Sequence, residues 1–186
     1  IVKMGIMNFN HIDLVAKYEE RIVRRSGIFV FLAFLLIGGI LSFHVFAHSD
    51  WRIASYAFRL DIPSAIPYTN AYLFCIFQAF LSIFIAGDFI RREPQKNTNE
   101  ALLTRSVTNV EYVLGKGLAV VKILIVLDIV LMVLTSILHV SATDAVFSPL
   151  LYLFYFFTLT LPAIFFTTAW IVCIKIFVRS RVFALL

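Results

Sequence analysis

Residues 27–47, GIFVFLAFLLIGGILSFHVFA, contain no Asp, Glu, Lys or Arg. A helix of that length rises roughly 30 Å, the thickness of a bilayer's hydrocarbon core. Water does not reach the backbone there, so every N–H and C=O must be paired within the segment, and a helix does that. Three further apolar runs follow, at about 70–90, 113–139 and 147–177. The last is longer than a span needs and holds Pro162, which predicts a kink or an extension beyond the bilayer. The chain is 61% hydrophobic and only 15% charged, against about 45–50% apolar residues in a soluble domain. The reading is an all-α, polytopic integral membrane protein. Residues 1–26 form a cytoplasmic amphipathic helix and 27–186 a transmembrane domain with four visible spans. The terminal RVFALL begins another apolar run, so a fifth span is expected from residue 182.

Charge sets the orientation. The N-terminal arm carries Lys3, Lys17, Arg21, Arg24 and Arg25, and the connector after the second run carries Arg91, Arg92, Lys96, Arg105 and Lys116. Lys175, Arg179 and Arg181 follow the fourth run. Only Arg52 and Arg59 lie on the opposite side, and Lys122 falls inside a run. Basic residues accumulate on the cytoplasmic side, which puts the N-terminus in the cytoplasm. The net charge of +5 is accounted for in this way and does not call for a nucleic-acid partner. Cys75 and Cys173 both lie in apolar runs and form no CxxC pair, so neither a disulfide framework nor a metal site is indicated.

Residues 11–26, HIDLVAKYEERIVRRS, form a helix whose Ile12, Val15, Ile22 and Val23 share an apolar face. Such a helix is expected along the cytoplasmic membrane surface, with its basic residues near lipid phosphates.

The connector from 91 to 116, RREPQKNTNEALLTRSVTNVEYVLGK, is too long for a turn and holds two helix starts. Asn97 precedes Glu100 by three residues and Thr108 precedes Glu111 by three, the spacing at which cap and carboxylate satisfy each other's backbone N–H. A short helix is predicted from Thr98 to about Arg105. The second helix starts at Thr108 and runs into the third span. Leu102 and Leu103 of the short helix, in a segment otherwise rich in charge, point to a docking element.

NTNEALLTRSVTNVEYVLGK resembles the segment after the second span of ABC-2 type transporter permeases. Thr98, Glu100, Leu102, Leu103, Thr108, Glu111, Leu114, Gly115 and Lys116 match that pattern without a gap. Asn97, Ser106 and Asn109 depart from it. The preceding LVAKYEERIVRRSGIFVF resembles the surface helix that leads into the first span of those permeases. The resemblance implies a six-span half-transporter that pairs with a second half, as a homodimer or heterodimer. It implies a bacterial cytoplasmic (inner) membrane location, export, and a separate ABC ATPase docked on the 98–105 helix through Thr98, Glu100, Leu102, Leu103 and Arg105. This chain is then a non-catalytic permease with no cofactor of its own, ATP and magnesium being bound by the partner.

Other chemistry is weaker. Gly115-Lys116 is no phosphate loop, because Val110 stands where its first glycine belongs and Gly117 where a magnesium-binding hydroxyl belongs. EERIVR, Glu19 to Arg24, has the spacing of an intramembrane protease signature, but it precedes the first span and no matching histidine motif surrounds His44, His48 or His139. A membrane assembly or anchoring subunit without transport is the alternative from another class. Asp128 lies near the middle of the third run, where a carboxyl is costly and either functional or hydrogen-bonded to a neighbouring helix.

Overall fold

The computed structural model describes residues 9–49, 62–92, 108–142 and 146–179. Among them there is no strand. Helix α1 spans Phe9–Arg25, α2 Gly27–Ser49, α3 Ala65–Arg92 and α4 Asn109–Ala142. The last unit starts as α5, Pro149–Tyr155, passes through a π-helical turn, Phe156–Thr160, and continues as α6, Leu161–Arg179. Three stretches are long and apolar enough to cross a membrane: Gly27–Phe46, Val110–Ser141 and Pro149–Cys173. Helix α3 is the least apolar of the long helices, with Asn70 and Gln78 buried on its inner face.

The helix boundaries follow local chemistry. Ser26 breaks α1 from α2, its N–H donating to Val23 O at 3.0 Å while its carbonyl accepts from Val30 N–H. Pro149 opens α5 in the first turn, where a missing N–H costs no helical bond. Just ahead of Pro162, where a kink or an extension is expected, the helix takes a π turn. Leu161 N–H reaches back five residues to Phe156 O, a local rearrangement of the kind that re-satisfies backbone groups near an intramembrane proline.

Two apolar clusters hold the helices together. The inner one joins Val23, Leu81, Ile85, Val120, Val121, Leu124, Ile164 and Ile171. The outer one joins Leu36, Ile40, Phe74 and Leu131. Large apolar side chains such as Phe31, Phe34, Phe80, Phe157 and Phe166 stay exposed on the outer faces of the bundle, as lipid-facing positions do.

Candidate functional site

The most extensive helix pairing among the described residues is α1 on α4. It is built at the N-terminal head of α4, directly after the connector. Thr108 and Glu111 form a reciprocal cap there: Thr108 N–H donates to Glu111 Oε2 at 2.9 Å, and Glu111 N–H donates to Thr108 Oγ1 at 3.3 Å. The same Glu111 oxygen lies 3.6 Å from His11 Nδ1 of α1.

One turn on, Gly115 is the point of closest approach. A Cβ placed there would come 2.7 Å from Val15 Cβ and 2.9 Å from Ile12 O, so only glycine lets α1 sit this close. Ala16 and Ala119, both fully buried, extend the same small-residue crossing. Beside it Lys116 Nζ meets Glu19 Oε1 at 3.2 Å, with side-chain exposures of 5% and 8%. The ammonium also lies 4.7 Å from the centre of the Tyr112 ring. Lys122 does not turn toward Asp128. It donates to Asp13 Oδ1 of α1 at 2.9 Å, and Lys17 bridges the other Asp13 oxygen at 2.7 Å. Hydrogen bonds from Lys17 and then Lys122 hold the Asp13 carboxyl down to about 2, and the Asp13 bond raises Lys17 in turn.

Helix α1 therefore does not spend its apolar face on lipid. Ile12, Val15 and Val23 are buried in the protein, against α4 and the inner cluster, because the projecting head of α4 offers them a packed surface that headgroups do not. Glu19 and Glu20 take separate cations, Lys116 and Arg24. This removes the pair of glutamates sharing one water that a protease would need.

A second polar group lies toward the other end of α4. His44 Nε2 of α2 is 2.7 Å from Asn70 Oδ1 of α3, Asn70 Nδ2 donates to the Tyr152 hydroxyl of α5 at 3.4 Å, and that hydroxyl is 3.0 Å from His139 Nδ1 of α4. All four side chains are buried. Between the two ends, Asp128 is 1% exposed and faces protein.

Of the residues singled out in the sequence, Thr108, Glu111 and Asp128 are described. Asn97, Thr98, Glu100, Leu102, Leu103 and Arg105 lie outside the described residues, as does the stretch from 182. Sequence reasoning missed the roles of Glu19, Gly115 and Lys116 as one joint. The available signal was a glycine and a lysine inside the head of a span, in a chain whose first helix carries Asp13, Glu19 and Glu20.

A model of the family described as ABC-2 family transporter protein matches residues 21–186. The chain belongs to the ABC-2 transporter family. Neither the curated proteins nor the solved structures compared with it gave a match. As an ABC-2 family member it is an integral membrane component of a transporter. The segment Glu111 to Lys116 thereby gains a structural meaning: within this ABC-2 chain its Glu, Gly and Lys all face α1.

Proposed function

We propose that this chain is the permease subunit of an ATP-driven ABC exporter. Four spans, α2, α3, α4 and the α5–π–α6 unit, cross the bacterial inner membrane with the N-terminus in the cytoplasm, as part of a six-span half that pairs with a second half. A separate ATPase docks on the 98–105 helix. The observation that carries this reading is the joint at Thr108–Lys122. The connector enters α4 through a reciprocal cap, and α1 is fixed to the same turns by a buried ion pair and a glycine crossing. A push on the connector then moves α1 and α4 together rather than fraying a helix end.

The test replaces Leu102 and Leu103 with Asp in the full-length permease and measures ATPase pull-down and transport-stimulated hydrolysis. Loss of both, with insertion and pairing intact, is expected. Unchanged binding and coupling would leave the assembly or anchoring role as the better reading. Orientation is tested by single cysteines at Ser55 and Thr104 in a background lacking Cys75 and Cys173. An impermeant thiol reagent should reach them from opposite sides.

A further inference from the structure

Asp128 lies in a polar layer that separates the two apolar clusters. On α4 the buried stripe reads Leu124, Asp128, Leu131. Leu124 belongs to the inner cluster with Leu81 and Ile164, Leu131 to the outer cluster with Phe74, and Leu127 packs against both. On α3, Gln78 falls between Phe74 and Leu81. On the last unit, Thr160 falls between Tyr152 and Ile164. The register thus places Asp128, Gln78 and Thr160 at one depth, on three different helical segments.

These groups are buried, at 1% exposure each for Asp128, Gln78 and Thr160. Among the described residues, Asp128 Oδ2, both amide atoms of Gln78 and Thr160 Oγ1 make no hydrogen bond. The buried hydroxyls of Thr160 and Thr168 both lack a hydrogen bond. Thr135, Thr158 and Thr167 bond back to carbonyls three or four residues earlier in their own helices. For Thr160 the carbonyl four residues back is Phe156 O, and the π turn gives that oxygen to Leu161 N–H. Its hydroxyl is left available to the layer.

A carboxylate in this position needs a compensating positive charge, because an isolated buried ion costs several kcal/mol or more. The lysines of its own helix are committed to α1, Lys122 to Asp13 and Lys116 to Glu19. The buried polar side chains at its depth on the neighbouring segments are Gln78 of α3 and Thr160 of the π turn. The donor set is a carboxylate, an amide oxygen and a hydroxyl, all hard oxygens of the kind that hold small hard cations.

We propose that the Asp128–Gln78–Thr160 layer is a binding site for one small monovalent cation, a proton or a sodium ion, in the middle of the bundle. The site neutralises Asp128 and lets the three segments pack. It does not depend on the transport reading.

The full-length protein in detergent is treated with dicyclohexylcarbodiimide, an apolar reagent for protonated carboxyls, and labelling is located by mass spectrometry. A proton site gives labelling at Asp128 that rises at least about tenfold from about pH 10 to about pH 6, the behaviour of a titrating carboxyl, with sodium and choline chloride equivalent. A sodium site gives labelling that sodium suppresses and choline does not. A second measurement covers failure of the reagent to enter: the unfolding temperature against pH and sodium, for wild type and for the isosteric Asp128→Asn. The wild type should respond to protons or sodium, and Asp128→Asn should lose that response, while Gln78→Leu should weaken it. Equal responses in wild type and Asp128→Asn, or no response to either cation in wild type, would overturn the proposal.

Discussion

The two ends of the bundle are held by opposite chemistry. At the head of α4 the fastening is ionic: Glu19 with Lys116, and Asp13 with Lys122 and Lys17. At the other end of α4 it uses no carboxylate or ammonium, only a chain of His44, Asn70, Tyr152 and His139. The ionic end sits where long lysine stems can carry their charges toward water or phosphate. The neutral end joins four helices inside the protein, where a hydrogen bond between neutral groups avoids the desolvation of an ion. The ionic joint ties one helix to the bundle, and the neutral one ties the spans to each other. They should therefore fail differently.

The largest expected effect is on the ionic end. Glu19→Ala leaves Lys116 buried without its carboxylate, a change that costs about 3–5 kcal/mol in buried pairs. The Tyr112 ring and the lysine's remaining contacts will soften it toward the lower figure. Thermal unfolding and proteolysis of α1 should both register it, and the swap Glu19→Lys with Lys116→Glu should recover part of the loss. An equal loss in the swap would mean that the site reads shape rather than charge.

Gly115→Val tests the same end without touching a charge. Its side chain meets Val15 and the Ile12 carbonyl, and overpacking of this kind costs about 1–3 kcal/mol. Helix α1 should become protease-sensitive while the spans remain folded. A fully protected α1 would show that the crossing is looser than the geometry indicates.

Tyr152→Phe removes the hydroxyl between Asn70 and His139. Unpaired buried groups cost about 1–3 kcal/mol, here at the lower end, since only one hydroxyl is lost. The predicted signature is a lower unfolding temperature with α1 protection unchanged, which separates the two ends. If α1 loosens as well, the two joints are coupled.

The smallest effect is the pH response of Asp13. Its carboxyl is held down to about 2 by Lys17 and Lys122, below its ordinary value of 3.8. A depressed carboxyl stabilises the fold above its unfolded value and loses that contribution as pH falls from about 4 to about 2. Asp13→Asn should flatten this window, lowering neutral-pH stability slightly and matching the wild type near pH 2. Added salt should mimic part of the loss, because the group is solvent-screened.

Much of the local structure was legible in the chain. The absence of charge over 27–46 and the length of the runs dictate helices, since lipid offers the backbone no other partner. The spacing of Thr108 and Glu111 predicted a helix start, and the reciprocal hydrogen bonds are present. Asp128 announced itself as an exception in an apolar run, and it is buried in protein. The destination of α1 was not legible. An apolar face on a basic helix fits headgroups and fits another helix equally well, and periodicity does not distinguish them.

The sequence by itself determined that this is a bundle of long apolar helices with a capped helix start at Thr108, because those features depend on residues within one or two turns of each other. Only the tertiary structure decided which charges meet. Lys122 and Asp13 are 109 residues apart, and nothing in either segment names the other. The reason is geometric: a helix fixes the angle of each side chain about its own axis, but not which neighbour stands at that angle. Gly115 shows the limit best. Within its own helix it is a weak point, and it becomes the centre of a joint only when α1 is laid across it.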